Sequence, residues 1–464
     1  MKVNTVIRNC HIVGPDRIFQ AGLAIDEGKI VAIGRDDSLP NAENIIDARG
    51  KYIIPGLVDA HVHLEWPPGV DIIKNIRAET QACAFGGITT LIHLLAPAED
   101  ILQHMEEFIS VYERHAYVDL DLSTRIYTWE DIKQIHQLLR RGVRGFKLLL
   151  PYKGPEAVWK GRVGGVDDGI VFLAFKEIAR LVNQGYKVFA RVHCENVEIF
   201  LRLRERYQQQ GLEPASWDEV RPRYCEEEAM GRCIYLASKT GCPIYIVHMS
   251  IKEGIDLVAE AKSKGIDVTA ETCIQYLVLN VNNTDKTLSK VNPPIRGPED
   301  NERLWEGIRR GIISVVATDH APVNQVDKVN LWEALPGFSG VETLLPLMLS
   351  EGVNKERISL EKLVEVCCYN PARIFGLFPS KGVISVGSDA DLVIIDLEKE
   401  MMVSERPFYS ASDFSPYAGW KLKGWPELVM LRGKTIMKEG QVVGRPGYGR
   451  YVGMGKERCT TPPN

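Results

Sequence analysis

The sequence predicts an α/β fold: a (β/α)8 TIM barrel carrying a β-sandwich built from both chain termini. Three observations predict it. Eight short apolar or β-branched runs alternate with helix-like segments across the middle of the chain. Both ends carry alternating strand patterns broken by turn signals. The chain has 464 residues, 45% hydrophobic and 25% charged, an ordinary globular composition long enough for a barrel plus an accessory domain.

The eight runs fall at 53–59, 87–95, 118–127, 143–150, 187–193, 243–250, 268–273 and 314–319. Helix-like periodicity follows at 172–184, 226–240, 251–264 and 299–310, and eight strands alternating with helices close a barrel. The longest insertion, 196–225, is rich in Arg and Gln and has helical character. Residues 5–50 hold strand patterns such as LAIDEGKIVAIG, with a Glu27-Gly28 turn, and the tail repeats that style in GSDADLVIIDL and ELVMLRGKTIMKEGQVVG. Neither end has enough strands for a stable sheet alone. The expected division is therefore 1–54 for the N-terminal part of the sandwich, 55–375 for the barrel, and 376–464 for the C-terminal part and tail.

Composition narrows the function. A net charge of −5 argues against a nucleic-acid or membrane-surface partner, since both favour basic surfaces. No apolar run reaches the roughly 18 residues of a membrane span. The start, MKVNTVIRNC, lacks the apolar core of a signal peptide. Ten cysteines form no CxxC pair, and Cys367 and Cys368 are adjacent, which suits reduced thiols in a cytoplasmic protein.

The chemistry is read at the strand ends. The first run leads into Asp59-Ala60-His61-Val62-His63, the fourth carries Lys147, the fifth ends at His193, the sixth contains His248, and the eighth ends in Asp319-His320. C-terminal ends of barrel strands share one mouth, where active sites of this architecture sit. His61 and His63 are two apart, so on a strand they point to one side. Imidazoles and a carboxylate converging there suit zinc and its first-row neighbours. The histidines at 11, 93, 104, 115 and 136 lack this placement and are expected to be structural. Lys147 sits in an apolar strand and cannot stay an unpaired ammonium beside two cations. It either pairs with Asp319, or snorkels to the surface, or has reacted with carbon dioxide to give a bridging carbamate.

The stretches PGLVDAHVHL, GGITTLIHL, GFKLLL, RVHCEN, YIVHMS, NPPIRG and ATDHAP follow one another in an order that resembles the amidohydrolase superfamily. The resemblance is to its cyclic-amidase branch of hydantoinases, dihydropyrimidinases, allantoinases and dihydroorotases. NPARIFGL and GSDADLVIID match too, so it covers nearly the whole chain. It implies two divalent metal ions, zinc first, with manganese or cobalt as alternatives. His61, His63 and Asp319 would hold one ion and His193 and His248 the other, with Lys147 as N6-carboxylysine bridging both. It further implies hydrolysis of a small cyclic amide by a water activated between the two ions, with Asp319 as general base and then acid, in a cytoplasmic homotetramer or homodimer.

Ring preference rests on fewer residues. A tyrosine five after the lysine, here Tyr152, donates to the developing oxyanion in hydantoinases and dihydropyrimidinases, while a loop tyrosine without a role is the plain alternative. Main-chain groups at positions resembling Asn292 and Ser339 read the ring imide, and Asn292 stands where close relatives commonly have serine. Dihydroorotases place an arginine two after the second histidine. Here that residue is Glu65, which would repel dihydroorotate, or is simply a solvated loop charge. The ATDHAP ending makes allantoinase the second reading. A non-catalytic scaffold would have lost ligand positions, and all six are present; deaminases of the superfamily usually lack the bridging lysine. The loops 64–70 and 151–159 are expected around the ring substituent, where Trp66 and Trp159 either stack on an aromatic group or pack into the core.

Overall fold

Continuous apolar runs, rather than alternating ones, mark strands covered on both faces, and the barrel strands are of that kind. In a computed structural model describing residues 2–97, 100–153, 165–404 and 408–453, they are Leu57–Val62, Ile88–Leu95, Asp119–Ile126, Gly145–Leu149, Phe189–His193, Ile244–Ile246, Val268–Cys273 and Val315–Ala317. Each pairs in parallel with the next in chain order. The first and eighth meet through the His63 amide, which donates to the His320 carbonyl at 2.7 Å, and the His320 amide, which donates to that of His61 at 3.2 Å. Beneath this seam the Thr318 amide and hydroxyl donate to the buried Asp59 carboxylate at 3.1 and 2.5 Å. Burial raises Asp59 to about 6, against these hydrogen bonds, which favour the ionised form.

Helices wrap the barrel where the sequence supplies caps. Ile72–Gly86 starts at Asp71, whose carboxylate accepts from two backbone amides, and ends at Gly87 with φ 85°. Trp129–Arg140 starts with a reciprocal capping box between Thr128 and Asp131. The insertion forms the helix Val197–Gln209 and a short turn at Trp217–Glu219 before Arg223–Thr240 resumes the barrel's outer layer.

The run expected as one strand at 53–59 is two. Tyr52–Pro55 joins a terminal sheet, and Leu57–Val62 enters the barrel. The break is Gly56. Its amide donates to the Asp391 carbonyl at 2.8 Å, and a Cβ there would lie 2.1 Å from the Thr89 hydroxyl. A hydrophobicity pattern does not register this change of sheet, because both halves are buried.

The termini build one sandwich. Its four-stranded sheet runs, in spatial order, Lys29–Gly34, Gly22–Asp26, Val3–Arg8 and Ala42–Asp47. The seven-stranded sheet mixes both ends: Gln441–Val442, Lys434–Lys438, Lys421–Leu431 and Leu392–Met402, then Tyr52–Pro55, His11–Val13 and Ile18–Gln20. Ile7, Leu23 and Ile25 from one sheet meet Ile53, Leu392 and Ile394 from the other in a common core. Buried charges tie this unit to the barrel floor. Lys381 reaches Asp119, Asp391 and Asp389 at 2.6, 2.5 and 3.0 Å. Burial alone would lower Lys381; the three carboxylates outweigh it and keep the ammonium charged. Among the described residues no helix is long and apolar enough to cross a membrane.

Candidate active site

At the C-terminal mouth of the barrel the six predicted positions come together. His61 Nε2 and His63 Nε2 each lie 3.2 Å from Asp319 Oδ1, the geometry of a cation site with one ligand atom from each. Lys147 Nζ is 2.5 Å from His61 Nε2. The His193 and His248 rings meet edge-on with centroids 4.2 Å apart, and His248 stacks on His61 at 5.4 Å. His248 and Asp319 hold positive φ angles, 40° and 50°, which turn the chain sharply at the strand end. Such backbone costs on the order of 1–3 kcal/mol each and is typical of functional sites.

Three of these histidines, His61, His193 and His248, are held toward the neutral form that metal coordination would need. Burial lowers His61 well below the usual range, and the charges of Lys147 and Arg191 lower it further. Burial also lowers His248 well below, helped by His193 and Lys147, and lowers His193. Their other nitrogens are largely engaged. His61 Nδ1 sits 2.7 Å from Glu271 and His193 Nε2 sits 2.6 Å from Glu195, which fixes the tautomers and leaves His61 Nε2 and His193 Nδ1 with lone pairs. His248 Nδ1 is buried with no hydrogen-bond partner among the described residues. Two neutral imidazoles with oriented lone pairs beside a carboxylate and a lysine amine form a donor set that fits divalent cations.

Of the carboxylates behind the histidines, Glu271 is brought from 210 residues away, whereas Glu195 is two residues from its His193. Glu271 accepts from the Tyr245 hydroxyl at 2.6 Å and the His248 amide at 3.0 Å, with Arg191 at 3.5 Å. Burial raises it to about 7, while these donors favour its ionised form. Glu195 takes two bonds from Arg221, at 2.9 and 2.8 Å; against burial, Arg221 and His193 hold it at about 2. Neither was expected from the sequence. The available signals were an acidic residue inside the apolar run 268–273, and Glu195 two residues after His193.

A cavity of about 220 Å³ opens above this floor. That volume suits a single small ring with a substituent rather than a polymer. Tyr152 lines it, with its ring edge-on to His193 at 5.8 Å. Asn292 lines it too, its side-chain carbonyl accepting from Trp217 Nε1 at 2.8 Å, so the insertion helps to hold that wall. Near Asn292 the wall is Pro336 and Gly337, while Ser339 is buried and is not among the residues lining the cavity. Trp66 also lines the cavity, and Trp159 lies outside the described residues. Glu65 and His93 also face the cavity. Glu65 is not a solvated loop charge: His104 Nε2 and His93 Nε2 lie 2.6 and 3.3 Å from it, and they hold it at about 2 although burial pushes the other way.

Comparison with known proteins gives the family and the fold. Residues 222–436 match the model of the amidohydrolase family. A D-hydantoinase from Ralstonia pickettii is 35% identical, over 97% of this chain and 98% of its own. An allantoinase from Rubrobacter xylanophilus is 34% identical, over 94% and 95%. The solved structure of an L-hydantoinase (dihydropyrimidinase) from Arthrobacter aurescens superposes with a TM-score of 0.88 at 33% identity, covering 97% of this chain and 99% of that one.

Proposed function

This chain belongs to the amidohydrolase family, and from that premise we propose that it opens a hydantoin- or dihydropyrimidine-type ring by hydrolysing its cyclic amide bond. It is a metal-dependent cyclic amidohydrolase acting on a small molecule. The observation that carries the finer reading is the convergence of His61, His63, Lys147, His193, His248 and Asp319 on the floor of a small cavity.

We assign His61, His63 and Asp319 to one divalent cation and His193 and His248 to a second, with Lys147 as a carbamate between them, and we take zinc as the first choice of ion. When bound, the cations supply Lewis acidity, lowering the pKa of a water and polarising the ring carbonyl. The protein's own groups do the rest. Asp319 accepts the proton of the attacking water and returns it to the departing ring nitrogen. The Tyr152 hydroxyl donates to the oxygen on which charge develops. Main-chain groups at Asn292 orient the imide, Ser339 lying outside the cavity lining, and Glu271 and Glu195 keep the imidazoles in their tautomers. The working particle is taken to be a cytoplasmic homotetramer or homodimer.

A second reading, allantoinase, is favoured by the ATDHAP ending and by a relative of that name with nearly the same identity. A hydrolysis panel of hydantoin, 5-phenylhydantoin, dihydrouracil, allantoin and dihydroorotate with metal-loaded enzyme separates them. The expected result is fastest opening of a hydantoin or dihydrouracil and no turnover of dihydroorotate. Allantoin as the best substrate would move the assignment to the second reading, and dihydroorotate as the best would overturn both.

The support given by Glu195 can be measured separately. Glu195→Gln keeps the shape but weakens the acceptor behind His193. It is expected to lower metal affinity about tenfold, the low end for loss of a carboxylate behind a ligand histidine, as read by competition with a chelator. Unchanged affinity would make Glu195 a partner of Arg221 only.

A further inference from the structure

The cavity wall beside the catalytic floor carries a charge that ring opening itself does not use. Glu65 follows His63 by two residues, lines the same cavity, and keeps a side-chain exposure of 27%. Two imidazoles hold it from behind. His93 is fully buried at the second barrel strand; its Nδ1 lies 3.2 Å from both the Leu64 amide and the Val62 carbonyl, and its Nε2 faces Glu65 at 3.3 Å. His104 comes from the helix Ile101–His115, and Phe108 of that helix stacks on both rings, at 4.7 Å from His93 and 6.5 Å from His104. Each carboxylate oxygen thus takes one imidazole bond, Oε1 from His104 and Oε2 from His93. A carboxylate has about four acceptor sites, so capacity remains on the cavity side.

We propose that Glu65 is the specificity-determining residue for the ring's exocyclic substituent, selecting groups that carry a positive charge or N–H donors and rejecting carboxylates. The proposal rests on the cyclic-amidase reading above. It follows from fixed geometry: the imidazole pair orients the carboxylate, and the low-dielectric wall limits the screening it would have in water. An ammonium, guanidinium or ureido group at the substituent position meets an acceptor already in place. A carboxylate meets a like charge and loses water on burial.

The test uses metal-loaded enzyme and three hydantoins matched in chain length at the 5-position: aminopropyl, n-butyl and carboxyethyl. Wild type is expected to favour the amine over the n-butyl compound by about tenfold in kcat/KM, and to disfavour the carboxylate by about tenfold, allowing for Glu65's partial exposure. Raising ionic strength should narrow that spread. Glu65→Gln should bring the amine-to-carboxylate ratio to within about threefold of unity, whereas Glu65→Asp should keep the order. If the Gln variant does not fold, the wild-type spread, its salt dependence and the Asp variant decide the matter. Equal kcat/KM for all three compounds in wild type, or an unchanged ratio in Glu65→Gln, would overturn the assignment while leaving the cyclic-amidase reading intact. Failure to open any of the three hydantoins would instead overturn the hydantoin reading, and the Glu65 assignment with it.

Discussion

Lys147→Ala is expected to lose metal and activity together. The wild-type protein, fully loaded, should contain two divalent ions per chain, because six ligand positions are too many for one tetrahedral site. In the structure Lys147 is buried, with its amine 2.5 Å from His61 Nε2 and its charge acting on His61, His193 and His248. It thus acts on members of both histidine pairs. As a carbamate it supplies the anion that offsets two neighbouring cations, and alanine removes that anion with little change to the strand. Lewis-acid stabilisation is worth several kcal/mol, so turnover should fall roughly 10³-fold or more. Short carboxylic acids added to the variant should restore part of both metal and rate by replacing the missing anion. Metal analysis alongside kinetics is the check. Normal metal and normal rate in Lys147→Ala would sink the carbamate assignment, and one ion in fully loaded wild type would sink the two-ion assignment.

Tyr152→Phe is expected to cut turnover on the best panel substrate by roughly 10²–10³-fold, the loss typical of one oxyanion donor. The substitution keeps the ring and its edge-on contact with His193, so folding and metal loading should survive. The loss should appear mainly in kcat, because the hydroxyl's bond strengthens as charge develops in the transition state. A tyrosine that only packed the loop would tolerate phenylalanine with almost no change. An unchanged kcat would therefore remove the chief support for a hydantoinase over an allantoinase.

The convergence of the candidate ligands was legible because barrel strands make a local pattern carry global meaning. His61-Val62-His63, Lys147, His193, His248 and Asp319 each stand at or near the end of an apolar run, and the architecture brings all such ends to one mouth. The groups that tune them were not legible. Glu271 lies 210 residues from His61, and Asn292 lies 75 residues from Trp217. Glu65 reads in sequence as an exposed loop acid, and only the approach of His93 and His104, 28 and 39 residues away, makes it a fixed charge in the wall. Spacing within a segment carries no information about partners at that range.

The chain's own pattern determined the barrel, the terminal sandwich and the positions of the six convergent residues, since each follows from strand periodicity and from polar residues placed at strand ends. Tertiary structure alone decided where the first predicted strand divides, at Gly56, whose missing side chain leaves room for Thr89 as the chain passes from sandwich to barrel. It alone decided the partner of His61 and the setting of Glu65, because each depends on a hydrogen bond between segments that meet only when the barrel closes, whereas the Glu195 that orients His193 is only two residues away in the chain.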